Sequence, residues 1–208
     1  MTDIPTTAEG SLEEFPKSAP ADRATAGPLD EGEAGAIKPS VDLGSLRIEP
    51  KRGMQLRLEV DKANNRVVAV TLEYLGSTLQ LQPFAAPRTS GLWHSIRAQI
   101  MDQIVKQGGK AKEHEGVFGP EVIASVPVQA KGAFSTRGVR FVGIDGPRWF
   151  LRGVIGGLAV KDPEAAETIH QMIRNVVVVR GVTPMPPRDL LPLRRPDGPE
   201  ENISTEEA

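Results

Sequence analysis

Residues 54–60 read MQLRLEV, and this alternation of apolar and polar residues decides the fold class. Met54, Leu56, Leu58 and Val60 fall on one face of an extended strand, and the polar residues fall on the other. Turn residues follow, and then residues 66–75 are β-branched and apolar. Gly76 turns the chain again into a third alternating run, over residues 78–82. Together these runs predict an antiparallel meander with one buried face.

Over residues 90–107 the apolar residues recur with the spacing of an α-helix. Ser90 is a predicted N-cap. Gly108 and Gly109 end the helix. One face is apolar, and it consists of Leu92, Trp93, Ile96, Ile100 and Ile104.

A second helix begins at Asp162-Pro163-Glu164, with a capping carboxylate and a proline in the first turn. Strands are predicted before it over 121–128, 139–144 and 148–155, and after it over 176–179. Strands in succession with two helices predict an α+β fold. We expect an antiparallel sheet of about seven to nine strands with two main helices packed on one face.

Charge and composition divide the chain into four parts. Residues 1–40 have eight acids, three bases and few large apolar side chains. We expect them to form a disordered acidic tail. Residues 41–181 carry a net +6 and form the single predicted domain. Residues 182–194 are a proline-rich strap or a linear motif. Residues 195–208 are a second acidic tail, also predicted to be disordered.

Composition also excludes several classes of protein. The chain of 208 residues has no cysteine, which excludes disulfides, thiolate catalysis and iron–sulfur clusters. No apolar run approaches the ~18 residues of a membrane span. The first ten residues do not resemble a signal peptide, so a cytoplasmic location is expected.

Several separated sequence strings, taken together, resemble an actinobacterial family catalogued only as a domain of unknown function. The resemblance covers about residues 41–193 and implies no activity, so no catalytic residue is carried over. The strings are VDLG at 41–44, LQLQPFAAPR at 79–88, GPRWFLRG at 146–153, residues 176–181, and MPPRDLLPL at 185–193.

The three histidines do not predict a catalytic or metal site. His94, His114 and His170 lack the spacing of a shared metal site, and no nucleophile elbow or phosphate loop occurs. We therefore expect no cofactor and no metal. The sequence favours a protein that is not an enzyme, but an enzyme of unrecognised type stays a second alternative, because a catalytic triad can assemble from residues distant in sequence.

The strand pair over 139–155 is the first candidate for an interaction surface. With a two-residue turn at Asp145-Gly146, Phe141 would lie opposite Phe150. The face would then present two phenylalanines flanked by arginines, which could grip a protein or stack on nucleobases. Alternatively, the phenylalanines are core residues and the arginines extend to the edge. The candidate residues are Arg140, Phe141, Arg148, Phe150 and Arg152.

The second candidate is the segment 185–193, whose prolines forbid a helix or a central strand. Its apolar side chains either strap its own domain or dock on a partner, and they are Met185, Leu190, Leu191 and Leu193. The predicted function is a binding or assembly module with an unidentified protein partner. The alternative is weak nucleic-acid binding. It would be favoured if one surface held Arg88, Arg97, Arg140, Arg148 and Arg152 together.

Overall fold

A computed structural model describes residues 14–35, 40–130, 133–196 and 203–207. Seven strands form an antiparallel sheet in the order β4-β5-β6-β10-β9-β8-β7, and β12 runs parallel to β4 at one edge. A second, mixed sheet has the order β1-β11-β3-β2, with β1 parallel to β11. The α+β class and the antiparallel main sheet are therefore confirmed.

The helices are α1 (Arg23–Ala26), α2 (Trp93–Lys106) and α3 (Pro163–Arg174), with a 3-10 turn at Leu158–Val160. The strands are β1 (Leu29–Asp30), β2 (Val41–Asp42), β3 (Leu46–Ile48), β4 (Gln55–Asp61), β5 (Arg66–Tyr74), β6 (Ser77–Ala85), β7 (Lys110–Gly116), β8 (Gly119–Ala130), β9 (Ala133–Asp145), β10 (Trp149–Gly157), β11 (Val177–Val178) and β12 (Ile203–Glu207). Among the helices of these ranges, none has the length and apolar character that crossing a bilayer requires.

The main sheet has two faces with different coverings. The inner face includes Leu81, Val142 and Leu151, and it shares a buried core with α3 and the small sheet. The outer face includes Phe150 and Val122, and these pack with α2. The cross-strand register shows which face each side chain lies on, because side chains alternate between the two faces along each strand.

The two helices therefore lie on opposite faces, which differs from the expected arrangement on one face. Gly143 shows why α2 fits the outer face, because a Cβ atom there would lie 2.2 Å from the Trp93 ring. Only a glycine lets this indole lie flat on the strand. Periodicity identifies the apolar stripe of α2, but not the side of the sheet that receives it.

The two helix starts use different caps. Asp162 caps α3 as the sequence predicts, since its side chain accepts a hydrogen bond from Ala165 N at 2.9 Å. The helix α2 begins at Trp93, and its side-chain acceptor comes from β9. The Asp145 carboxylate accepts from Leu92 N at 2.9 Å and from Trp93 N at 3.4 Å. The predicted Ser90 cap is thus replaced by a residue distant in sequence.

Residues 14–35, within the segment expected to be disordered, have contacts with the rest of the domain. Ser18 N donates to the Asp145 carboxylate at 3.0 Å, and Asp30 accepts from the Trp149 indole at 2.9 Å. Arg23 pairs with Glu33 at 2.5 Å and lies over the Trp149 ring. These polar and backbone contacts replace the apolar burial that the segment lacks. Residues 1–13 and 36–39 lie outside the described residues.

At the carboxyl end, β11 joins the small sheet and not the main one. Beyond it, residues 203–207 pair with β4, with Ile203 opposite Leu56, which differs from the disorder expected over residues 195–208. Residues 197–202 and 208 lie outside the described residues.

Candidate functional site

The hairpin between β9 and β10 has a different register from the one that the sequence predicts. Phe150 lies opposite Asp145, and Phe141 lies opposite Val154. Gly146 N donates to Trp149 O at 2.8 Å, so the turn lies at Pro147-Arg148, two residues later than the sequence predicts. Pro147 has no N–H with which to pair in the ladder, so it lies in the turn and not opposite Ile144 as predicted.

Three of the predicted residues do not lie on one exposed surface. Phe150 is fully buried, with its ring centroid 6.0 Å from that of Phe84 and 5.9 Å from that of Trp93. Arg140 lies on the inner face, where it pairs with Glu121 at 2.6 Å. Arg148 is exposed in the connecting loop and donates to Gly181 O at 3.4 Å. The core interpretation therefore fits Phe150.

The other two predicted residues of this strand pair, Phe141 and Arg152, share the outer face beside the area that α2 covers. The helix α2 packs on β7, β8 and β9, and the outer side chains of β6 and those of β10 beyond Phe150 are half-exposed. We call this surface the open face. Its members are Gln80, Gln82, Phe84, Arg137, Phe141, Arg152 and Val154.

Arg152 is the central charge of the open face. Its Nε donates to Gln82 Oε1 at 3.1 Å, its Nη2 donates to the same oxygen, and its guanidinium lies 5.6 Å from the Phe84 ring centroid. Burial lowers the pKa of Arg152, which still stays protonated at neutral pH. Among the described residues it contacts no carboxylate. A half-buried cation without an anionic partner is a site that favours an external anion.

Arg137 is a second cation on the same face. A Cβ atom added to Gly156 would lie 3.1 Å from Arg137 Nη2 and 2.6 Å from Thr78 Oγ1, so the guanidinium crosses over Gly156. The cross-strand trio of Gln80, Val154 and Phe141 lies between this position and Arg152. The open face therefore has two cations with a partly apolar middle.

Sequence reasoning missed Phe84 and Arg137. With Leu79 and Leu81 inward, alternation places Gln80, Gln82 and Phe84 outward, and an aromatic residue at an outward position was the available signal. The signal for Arg137 was weaker, because the predicted strand began at residue 139 while β9 begins at Ala133.

Carboxylates border the open face on β4 and β5, and each has its own partner. Glu59 accepts from Thr71 at 2.7 Å and from Gln80 at 2.6 Å, and Glu73 pairs with Arg57 at 3.3 Å. In register, Glu59 is three strands from Arg152, about 14 Å at ~4.8 Å per strand. It therefore does not neutralise Arg152.

The segment 185–193 lies against its own domain, with the geometry of a strap. Ala85 N donates to Asp189 O, and Leu191 N donates to Pro83 O at 2.9 Å. Leu191 is buried, Leu193 forms bridges to Gly44 and Val67, and both Met185 and Leu190 are half-buried. These contacts occupy the apolar side chains that a docking motif would need.

The inner face contains a closed polar cluster where β8 and β9 meet α3. Glu121 and His170 are 2% and 5% exposed, so this cluster offers no path for a ligand. Burial, and next the Arg140 charge, lower the pKa of His170. Within the described ranges, no three His, Asp or Glu side chains are placed to hold a metal ion.

The arginines that would form a nucleic-acid surface are separated. Arg140 and Arg152 lie on opposite faces, and Arg97 is 8% exposed and pairs with Glu113 at 2.7 Å. The open face therefore stands out by the unpaired state of its charges and not by their number.

Comparison with known proteins extends the resemblance seen in the sequence. No curated protein and no solved structure matches the chain. One family model, described as a protein of unknown function (DUF3710), matches residues 27–202. This match begins before β1 and ends after the strap, so it includes the small sheet and the seven antiparallel strands of the main sheet but not β12. The chain belongs to this family of unknown function, DUF3710.

Proposed function

We propose that this protein is a non-catalytic binding or assembly module that contacts another protein through the open face. The observation that supports this function is the half-buried Arg152, which lies among aromatic and aliphatic side chains without a carboxylate partner in the described chain. Protein interfaces are enriched in arginine and aromatic residues, which supply anchors once water is excluded.

The neighbouring chemistry favours a protein over a nucleic acid. Phe84 has the Arg152 guanidinium over one ring face and Phe150 beside it, which limits stacking on a base. Glu59 and Glu73 would also repel a phosphate backbone that crossed β4 and β5. The strap and the inner cluster are engaged within the domain, so the open face is the better contact surface.

Photocrosslinking of the full chain in its native host tests this proposal. A photoreactive residue would replace Gln80, at the centre of the open face, or Lys112, on the exposed edge strand β7, as the matched control. We expect a discrete protein adduct at position 80 that survives nuclease treatment and does not form at position 112.

Two results would contradict the proposal. Identical adducts at both positions would show that the open face has no preference, and adducts that nuclease removes would show that the partner is a nucleic acid.

A further inference from the structure

We infer that the open face binds an extended acidic segment of the partner protein, with one carboxylate on Arg152 and a second on Arg137. This inference rests on the proposed function and adds the chemistry of the partner. The guanidinium fork of arginine matches a carboxylate in geometry and charge, and such charge-assisted pairs are stronger than neutral hydrogen bonds.

The orientation of Arg152 is already fixed before any ligand arrives. Gln82 Oε1 accepts from both Nε and Nη2, and the Phe84 ring supports one side of the guanidinium. In addition, the Gln82 Nε2 donates to Val68 O at 2.9 Å, so the glutamine is itself held in place. A side chain held in this way loses little conformational freedom when an anion binds.

The spacing of the two cations selects an extended segment. Arg152 and Gly156 are four residues apart on β10, about 13 Å at ~3.3 Å per residue, and Arg137 crosses over Gly156. Acidic residues at positions i and i+4 of an extended peptide are the same distance apart and point to the same side. Apolar or β-branched residues between them would then face Val154 and Phe141.

The carboxylates of the surroundings argue against a continuous polyanion. Glu59 and Glu73 lie on the same face of the sheet, on β4 and β5. A chain with a negative charge at every unit would meet them, whereas a peptide with two separated carboxylates would not. We therefore favour a peptide over an oligonucleotide or a phosphorylated lipid surface.

Peptide titration of the full chain tests this inference. The probe is an acetylated and amidated peptide with glutamates at i and i+4 and threonine and valine between them, and its partner probe has glutamine at both positions. Binding is followed by the backbone amide shifts of β6 and β10 at low and high salt. We expect shifts with the glutamate peptide that weaken with salt.

Variants identify the anchor. Arg152→Gln should weaken binding of the glutamate peptide about tenfold or more, as expected for loss of a partly desolvated charge pair. Lys112→Gln removes the same charge on β7 and should change nothing. The decisive comparison is a double-mutant cycle of two proteins and two peptides. The natural chain should bind the glutamate peptide more tightly than the glutamine peptide, and Arg152→Gln should bind both equally. Unchanged melting of Arg152→Gln shows that the fold persists.

Each other outcome has a defined meaning. Equal binding of both peptides, or no binding, overturns the acidic-segment inference but leaves the crosslinking result at Gln80 as independent support for a protein-binding face. Tighter binding of a single-stranded oligonucleotide than of the peptide, lost in Arg152→Gln, overturns both the inference and the proposed function.

Discussion

Two arginines on adjacent strands, Arg140 of β9 and Arg152 of β10, show how the two faces of one sheet differ. Arg140 lies beneath α3 and pairs with Glu121, which is 2% exposed. Arg152 lies on the open face and bonds to Gln82, a neutral side chain. The buried Glu121 requires a counter-charge from its own chain, and Arg140 supplies it, whereas the half-buried Arg152 can bind an anion from outside the chain. The charges of the inner face are thus paired within the chain, and the open face is the surface that we propose for binding.

The largest expected effect on stability is at Glu121. Glu121→Leu should lower the free energy of unfolding by about 3–5 kcal/mol, because it leaves the Arg140 charge buried without its partner. The matched change on the open face, Gln82→Ala, should cost less than about 1.5 kcal/mol, because water can replace the lost hydrogen bond. Urea denaturation measures both values. Equal losses would mean that the two arginines do not differ in the way described.

The covered part of the outer face provides the next test. Ile100 of α2 is 9% exposed and belongs to the core with Trp93 and Val122. Ile100→Ala should cost about 2–5 kcal/mol, while the neighbouring and exposed Gln99→Ala should change stability by less than about 0.5 kcal/mol. Thermal and urea unfolding provide the measurement. Small and equal effects would contradict the packing of α2 on this half of the face.

The inner face should also respond to pH. Burial and then the Arg140 charge lower the folded-state pKa of His170 from the ordinary value of 6.5. Among the described residues, the charged groups that face it are Arg140 on β9, Glu121 on β8 and Glu167 on α3, and its Nε2 has no partner there. Below about pH 6.5, His170 is protonated in the unfolded chain but stays neutral in the folded chain until its lower pKa is reached. The free energy of unfolding therefore falls as pH falls.

The expected slope from His170 is at most about 1.4 kcal/mol per pH unit between the folded-state pKa and 6.5. Urea denaturation as a function of pH should show a shallower slope for His170→Gln than for the natural chain. The exposed His114→Gln on β7 is the control and should retain the natural slope. An unchanged slope in His170→Gln would show that burial of this histidine does not cause the pH dependence of stability.

Sequence reasoning succeeded where structure depends on neighbours along the chain. The alternation of residues 54–60 appears in β4, where Leu56 and Leu58 are buried between half-buried or exposed polar residues. The Asp162 cap begins α3 as predicted. Alternation and capping are set by the backbone geometry of a few residues, and these are visible in a short window of sequence.

Prediction of the candidate site was partial for a physical reason. Arg152 and Phe141 were found because they are unusual residues on a predicted strand pair, but Phe150 was given the wrong neighbour. The register of a hairpin depends on the position of its turn, and the turn between β9 and β10 lies at Pro147-Arg148 and not at Asp145-Gly146. The new register gives Phe150 a different neighbour but the same face as Phe141, and its ring is buried against Phe84 and Trp93.

The sequence by itself determined the α+β class, the apolar stripes of the two long helices, and the family to which the chain belongs. Only the tertiary structure decided which face each helix covers, that residues 14–35 pack on the domain, and that Arg140 has a carboxylate while Arg152 has none in the described chain. Local patterns fix side-chain direction within one element. Partners such as Ser18 and Asp145 are 127 positions apart, so only the folded chain brings them together.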